Sequence, residues 1–232
     1  MTLDGFVRCR CPRDVCPHED RLLAVEEVGN WAAYRGFQHA LSRIGWQHFP
    51  VLHAVLPRAN DGTAPASTAP AALAELQSFT QHTDLGEQAL LCDDDTGDVV
   101  WEQLHAFGGA NVLVVSADDP TRDLVMGVDL DGFFVRRGDV HGGEELFRAT
   151  TFGQEVIRRG DSPAVRFTDD THSVTVARGP IRHPDPAHPH GPPVRLRTRS
   201  RRRTPDDFAP TVGALRRLLD ASVETGNPVV WC

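Results

Sequence analysis

Hydrophobic residues recur along this chain with two different periods, and the change between them divides it. Val28, Trp31, Tyr34, Phe37, Leu41 and Ile44 return every three or four positions, the spacing that gathers apolar side chains on one face of a helix. Glu19 and Asp20 stand where acid favours a helix N-terminus, and Gly45 where a helix can stop. The pattern therefore predicts one helix from Glu19 to about Ile44. Before it, "GFVRCRC" (5–11) predicts a short strand through Phe6 and Val7. After it, the unbroken apolar run "FPVLHAVLP" (49–57) has the length of a strand, and "RANDGTAPASTAP" (58–70) has the chemistry of a loop. Leu73, Leu76 and Phe79 mark a second, short helix following Pro70.

From about residue 88 to 200 the period is two. "QALLCDDDTGDVVWEQL" predicts a hairpin turning at Asp95-Thr96-Gly97, and "DLVMGVDLDGFFVRR" another turning at Asp131-Gly132. "ELFRATTFGQEVIRR" and "AVRFTDDTHSVTVA" continue an antiparallel meander, expected to form one sheet or a half-barrel. The Pro-rich stretch 179–193 is expected to be an exposed loop.

Near the end the helical period returns. Thr204 is a cap residue, Pro205 fits the first helical position, and Asp206 and Asp207 complement the dipole. Phe208, Val212, Leu215, Leu219 and Val223 form the apolar face, Gly226 is a left-handed stop, and "VVWC" is a final strand. Strand, helix, strand over 5–57 reads as a βαβ unit with parallel strands, to which the last helix and strand add a further one. The expected fold class is α+β: a small mixed sheet with two or three helices formed from both chain ends, plus an antiparallel meander in the middle. This makes a single domain of 232 residues, with 1–87 and 204–232 as the α/β part and 88–203 as an insertion.

Composition narrows the function classes. The net charge of −8 lacks the basic footprint of a general nucleic-acid binder. No run of about 18 apolar residues predicts a membrane span, and the first residues lack the charged and apolar regions of a signal peptide, so a cytoplasmic location is expected. All 24 basic residues are arginine, which removes Schiff-base lysines and phosphate-binding P-loops from consideration. The G-x-S-x-G, H-E-x-x-H and G-x-G-x-x-G signatures are absent.

Three of the five cysteines fall in "CRCPRDVCPH" (9–18). In a reducing compartment, clustered cysteines point to metal or catalysis before disulfides. Cys9, Cys11, Cys16 and His18 form a Cys3His set with C-x-C-x4-C-x-H spacing, a donor set suited to zinc, and Cys232 is a fifth candidate ligand. If the sheet is parallel, Cys9, Cys11 and Cys232 share the edge where ligands of open α/β sheets collect, and Asn60 and Asp61 lie on it as polar site residues. Unconnected reduced thiols and a redox pair are the alternatives. Cys92 reads as a core residue.

Other groupings have plainer readings beside the functional one. Arg195, Arg197, Arg199 and Arg201 share one face of a strand, which suits anion recognition and equally suits a solvated edge. His183, His188 and His190 are a histidine-rich loop that can hold a metal or nothing. Asp93, Asp94, Asp95 and Asp98 lack the spacing of a calcium loop and read as a tight turn. Trp31, Trp46, Trp101 and Trp231 read as core or boundary aromatics.

The stretches "NWAAYRGFQHAL…GWQHFPVLHAVLPRANDG", "DGFFVRR…ELFRATTFGQEV" and "SVETGNPVVWC" resemble an uncharacterised family of bacterial proteins, mostly actinobacterial. The likeness runs from the first helix to Cys232; in the relatives a longer segment separates the C-x-C and C-x-H halves. The resemblance implies an α+β fold and attaches no activity. The expectation is a cytoplasmic zinc-binding protein without intrinsic catalysis, acting through a protein partner in an accessory or immunity-type role. The alternative is a metal-dependent hydrolase or thiol-based enzyme at the Cys9/Cys11/Cys16/Cys232 edge, with His18 or Asp61 as its acid–base group.

Overall fold

Pairing across the sequence decides the N-terminal architecture. The computed structural model describes residues 2–11, 16–102, 111–115, 124–138, 143–159, 162–189 and 191–232. The chain divides into two compact units, one of Met1–Gly86 with Arg203–Cys232, the other of Glu87–Arg202.

In the first unit, β1 (Thr2–Arg8) lies between β2 (Leu22–Asn30) and β14 (Val229–Trp231), and β14 pairs in turn with the two-residue β3 (Thr63–Ala64). All three pairings are antiparallel, with Val7 opposite Ala24 on one side and Val229 on the other. Leu3 and Val7 are buried beneath α4 (Ala209–Thr225), which buries Val212, Leu215, Leu218 and Leu219. Between them Gly5 has no side chain; a Cβ there would lie 2.8 Å from Leu218 Cδ1 and 2.9 Å from the Trp231 ring, so the bare backbone is what lets α4 approach. Three shorter helices, α1 (Trp31–Ile44), α2 (Pro50–Val55) and α3 (Ala69–Phe79), complete the unit. Phe37, Phe79 and Phe208 meet in its core with ring centroids 5.1–6.1 Å apart.

The α+β architecture, with helices from both ends and a β-meander between them, is as the sequence predicts. The pairing and three elements differ. The sheet is antiparallel throughout, because residues 22–30 form β2 and bring the chain back beside β1 before any helix begins. The predicted helix over 19–44 is therefore a single 3-10 turn at Glu19–Arg21, then β2, then α1. Leu, Ala and Glu in 22–27 favour helix locally, but an open β1 edge and the α4 surface override that preference. α1 starts where Asn30 Oδ1 accepts the Ala33 N–H at 2.9 Å, an N-cap. The predicted strand 49–57 is α2: Pro50 occupies its first turn, and the Glu75 carboxylate of α3 accepts the N–H groups of Val51 (3.0 Å) and Leu52 (2.8 Å). The first strand ends at Arg8, so Cys9 and Cys11 lie just beyond it.

The second unit holds two antiparallel sheets, where a single sheet or half-barrel is the sequence expectation. One has the order β12-β11-β10-β13-β4-β5, built from Ser173–Val176, Ser162–Thr168, Thr151–Arg159, Arg195–Arg202, Glu87–Asp93 and Val99–Glu102. The other is β6-β7-β8-β9, built from Asn111–Val115, Leu124–Asp129, Gly132–Arg137 and Glu144–Ala149. The chain crosses from one to the other at Thr150, and both share a core in which Phe133 stacks on Phe152 (4.5 Å) and meets Phe167 edge-on (5.1 Å). The β4–β5 hairpin turns over Asp93–Asp98 as expected; the β7–β8 loop is Leu130-Asp131, one residue earlier than expected. Among the described residues no helix is long and apolar enough to cross a membrane.

Candidate metal centre

Where β1 ends, its ladder continues for one more bond: the Cys9 N–H donates to the Arg21 carbonyl at 2.8 Å. The chain returns through Cys16, Pro17 and His18, and the Arg21 N–H donates to the His18 carbonyl at 3.1 Å. Asp20 and Arg21 both take left-handed conformations, φ 49° and 61°. Two consecutive non-glycine residues there carry roughly 1–3 kcal/mol of strain each. They turn the chain sharply enough for β2 to begin at Leu22. The Arg21 guanidinium then donates from Nη2 to the Cys11 carbonyl at 3.0 Å, tying the outgoing arm to the returning one.

This local fold gathers four ligand atoms. Cys9 Sγ and Cys16 Sγ are 3.1 Å apart, His18 Nδ1 lies 3.5 Å from Cys11 Sγ and 3.7 Å from Cys16 Sγ, and all four atoms lie within 4.8 Å of one another. A tetrahedral zinc with ordinary bond lengths would set sulfurs about 3.8 Å apart and sulfur to nitrogen about 3.5 Å. The two sulfur–nitrogen distances match, and the Cys9–Cys16 pair is about 0.7 Å closer than the ideal. All the cysteines are free thiols. Cys9 and Cys16 are well outside the ~2.05 Å of a disulfide bond. The cluster is geometrically suited to a metal ion.

Its protons are already unevenly held. The hydrogen bond from Cys16 brings the Cys9 thiol down from 9.0 to about 7, against the opposing effect of burial. Burial pushes Cys11 up to about 11, and its hydrogen bonds and charge repulsion with Cys9 and Cys16 add to the rise. The Cys9 thiolate forms readily and the Cys11 one is resisted, in part by repulsion that a bound cation removes.

Beside the cluster is a pocket of about 300 Å3, lined by Cys9, Arg10, Cys11, His18, Leu23, Glu224 and Thr225. Its far wall is the last turn of α4. Gly226 ends that helix at φ 64°, and a Cβ there would collide with the Arg10 guanidinium, which therefore lies against the helix C-terminus, where a cation is favoured. Next in sequence, Asn227 Nδ2 donates to the carbonyl of Arg8 at 2.7 Å and faces that of Cys9 at 3.5 Å. Neither Arg21 nor Asn227 is a site residue by sequence reasoning, because each acts on backbone carbonyls that only the fold brings near.

The other predicted site residues go elsewhere. The Cys232 backbone exchanges hydrogen bonds with Asp4 at 3.0 Å each. That places Cys232 level with Asp4, five positions back along β1 from Cys9, roughly 16 Å at a strand's rise. The expectation of one shared edge rests on parallel strands; antiparallel pairing sends the ends of β1 and β14 in opposite directions. Asn60 Oδ1 accepts the Trp31 indole N–H at 2.9 Å, and Gly62 accepts from the Trp231 N–H at 3.1 Å, so Asn60 and Asp61 also belong to the opposite end of the sheet. Trp231 is buried and Trp31, Trp46 and Trp101 are half-buried.

In the second unit, Arg195, Arg197 and Arg199 are exposed along β13 while Leu196 is buried. Asp94 faces Arg195 (3.6 Å) and Arg197 (2.9 Å), and Glu102 lies 3.9 Å from Arg201, so the arginine face is answered by carboxylates of its own unit. His183 and His188 stack at 4.0 Å, with His188 Nε2 3.4 Å from Asp98; His190 lies outside the described residues. Cys92 is buried in β4, which raises its pKa.

No family model, no curated protein and no solved structure matches the chain.

Proposed function

We propose that the chain binds one zinc ion through Cys9, Cys11, Cys16 and His18 Nδ1, as a structural centre that fixes residues 9–21 against the ends of β1 and α4. The observation that carries the reading is the convergence of three thiols and an imidazole nitrogen within 4.8 Å. Thiolate and imidazole donors select zinc over magnesium or calcium, and four protein ligands leave no open position for a substrate. On this reading the protein does no chemistry of its own. It works in the reducing cytoplasm through a protein partner, in an accessory or immunity-type role; its free cysteines and its charge of −8 are consistent with that setting.

The test is metal content per chain, measured on protein purified without added metal or chelator. About one zinc per chain is expected, absent from a Cys9→Ser/Cys11→Ser variant. Chelator should lower the Tm of the wild type and leave the variant unchanged. A metal-free wild type whose melting ignores chelator would overturn the assignment.

The pocket favours a second reading, a metal-dependent hydrolase or thiol-based enzyme. Cys9, Cys11 and His18 line it, so a metal held by these three with water as its fourth ligand would border a pocket that Glu224 also lines. Cobalt substitution separates the two. An absorption spectrum indifferent to added small anions supports the closed centre, and one that shifts with them supports the enzyme.

A further inference from the structure

The four ligand atoms are not equivalent in access. Cys9 and Cys11 line the pocket and Cys16 does not, while Cys9 is buried and Cys11 and Cys16 are half-buried. The Cys9 and Cys16 sulfurs stand only 3.1 Å apart, inside the ~3.8 Å expected between thiolates of a tetrahedral zinc shell. A disulfide would need them to approach by about a further 1 Å. The remaining cysteines are less well placed. Cys11 Sγ lies within 4.8 Å of both sulfurs and contacts His18 at 3.5 Å, Cys232 lies at the other end of β1, and Cys92 is buried in the second unit.

We propose that the centre is a peroxide-responsive switch, in which oxidation joins Cys9 to Cys16 and releases the metal. The release rests on the zinc reading above; the linkage does not. A peroxide entering the pocket reaches Cys9 and Cys11, and Cys9 is the one with a partner sulfur at 3.1 Å. The thiolate attacks one peroxide oxygen, the O–O bond breaks, and Cys9 becomes a sulfenic acid as hydroxide leaves. The Cys16 thiolate then attacks the Cys9 sulfur; the S–O bond breaks, the S–S bond forms, and a second hydroxide departs. Each hydroxide takes up a proton. Two thiolates, one hydrogen peroxide and two protons thus give one disulfide and two waters, the sulfurs supplying the two electrons that reduce the peroxide. Cys11 and His18 remain, and two ligands do not hold zinc against a chelator. Six residues separate the two cysteines in sequence, and the Arg8 carbonyl next to Cys9 is the one that Asn227 holds.

The experiment treats the full chain as purified with hydrogen peroxide, in the presence of a chromophoric zinc chelator. Zinc release, free thiols and non-reduced peptides are followed together. Expected are one zinc released per two thiols lost, a peptide linking Cys9 to Cys16, and recovery with dithiothreitol and zinc. Cys11→Ser, which keeps the pair, should still form the linkage. Cys16→Ser should not, and should accumulate a Cys9 sulfenic acid trappable by dimedone. Zinc retained after saturating peroxide, a linkage through Cys11, or sulfinic acids without any linked peptide would overturn the proposal. If the chain purifies without zinc, the metal reading falls alone, and peptide mapping of the metal-free chain still decides whether Cys9 and Cys16 join.

Discussion

Gln154 shows how much one buried polar side chain can organise. It lies in β10, and its Nε2 donates to the carbonyls of Ile181 (2.9 Å) and Pro193 (2.6 Å), while its Oε1 accepts the Ile181 N–H (2.9 Å). One amide thus pins both ends of the Pro-rich loop, which is otherwise largely exposed. Gln154→Leu strands three backbone groups and should cost about 2–3 kcal/mol in denaturant unfolding. Zinc content should not change, because the loop and the metal centre belong to different units. The contrast between this residue and the candidate metal ligands explains what was legible at this scale. Cys9, Cys11, Cys16 and His18 sit within ten positions, so their chemistry shows in the spacing alone. Gln154, Arg21 and Asn227 satisfy backbone groups remote in sequence or hidden in a turn, and nothing in their neighbours announces it. Cys232 misled for the complementary reason: its residue type fits a metal site, but strand direction carries it away.

At the scale of elements, boundaries written in local chemistry were readable. α4 is preceded by a 3-10 turn, Pro205–Phe208, whose Thr204 N–H donates to the Asp207 carboxylate at 2.7 Å, and it has a proline in its first turn and left-handed Gly226 at its end, all visible in the sequence. On its predicted apolar face only Val223 departs, being 49 % exposed while Leu218 is buried. β2 was not readable, since its residues favour helix and only β1 makes them a strand. β2 and α4 are joined by an ion pair in which Arg217 donates to both Glu26 oxygens at 2.6 and 2.7 Å. Those hydrogen bonds hold the Glu26 carboxyl below its ordinary 4.5. A carboxyl with a lowered folded-state value adds stability that is complete above about pH 4.5 and disappears as pH falls through the lowered value. Glu26→Gln should therefore lower Tm at pH 7 by a small amount, about 1–3 °C because the pair is solvent-exposed, and the difference should vanish in acid. A Tm gap that persists or widens at low pH would show that the pair contributes by packing instead.

At the scale of the molecule, the first unit is made from both ends of the described chain, and the second is inserted between Gly86 and Arg203. The two stems meet directly: the Arg203 N–H donates to the Gly86 carbonyl at 2.9 Å. A linker of two or three glycines can bridge so short a gap. A chain with residues 87–202 replaced in this way should still bind one zinc and melt cooperatively, checked by metal content and calorimetry. Failure of both would show that the first unit needs the second to fold. The switch from a 3.6-residue to a 2-residue period near residue 88 carried this organisation in the sequence. The two-sheet packing of the insertion was not visible, because alternation records which face of a strand is buried and not which sheet the strand joins.

The pairing of β1 with β14 also sets an order of events on the ribosome. The cysteines leave the exit tunnel before Asn227 and the last turn of α4, which close over them and are made some 200 residues later. At ordinary rates of translation that is a wait of roughly 10–40 s. All four ligands lie in residues 9–18. On the zinc reading, the nascent segment holds a complete ligand set before the rest of its own chain arrives.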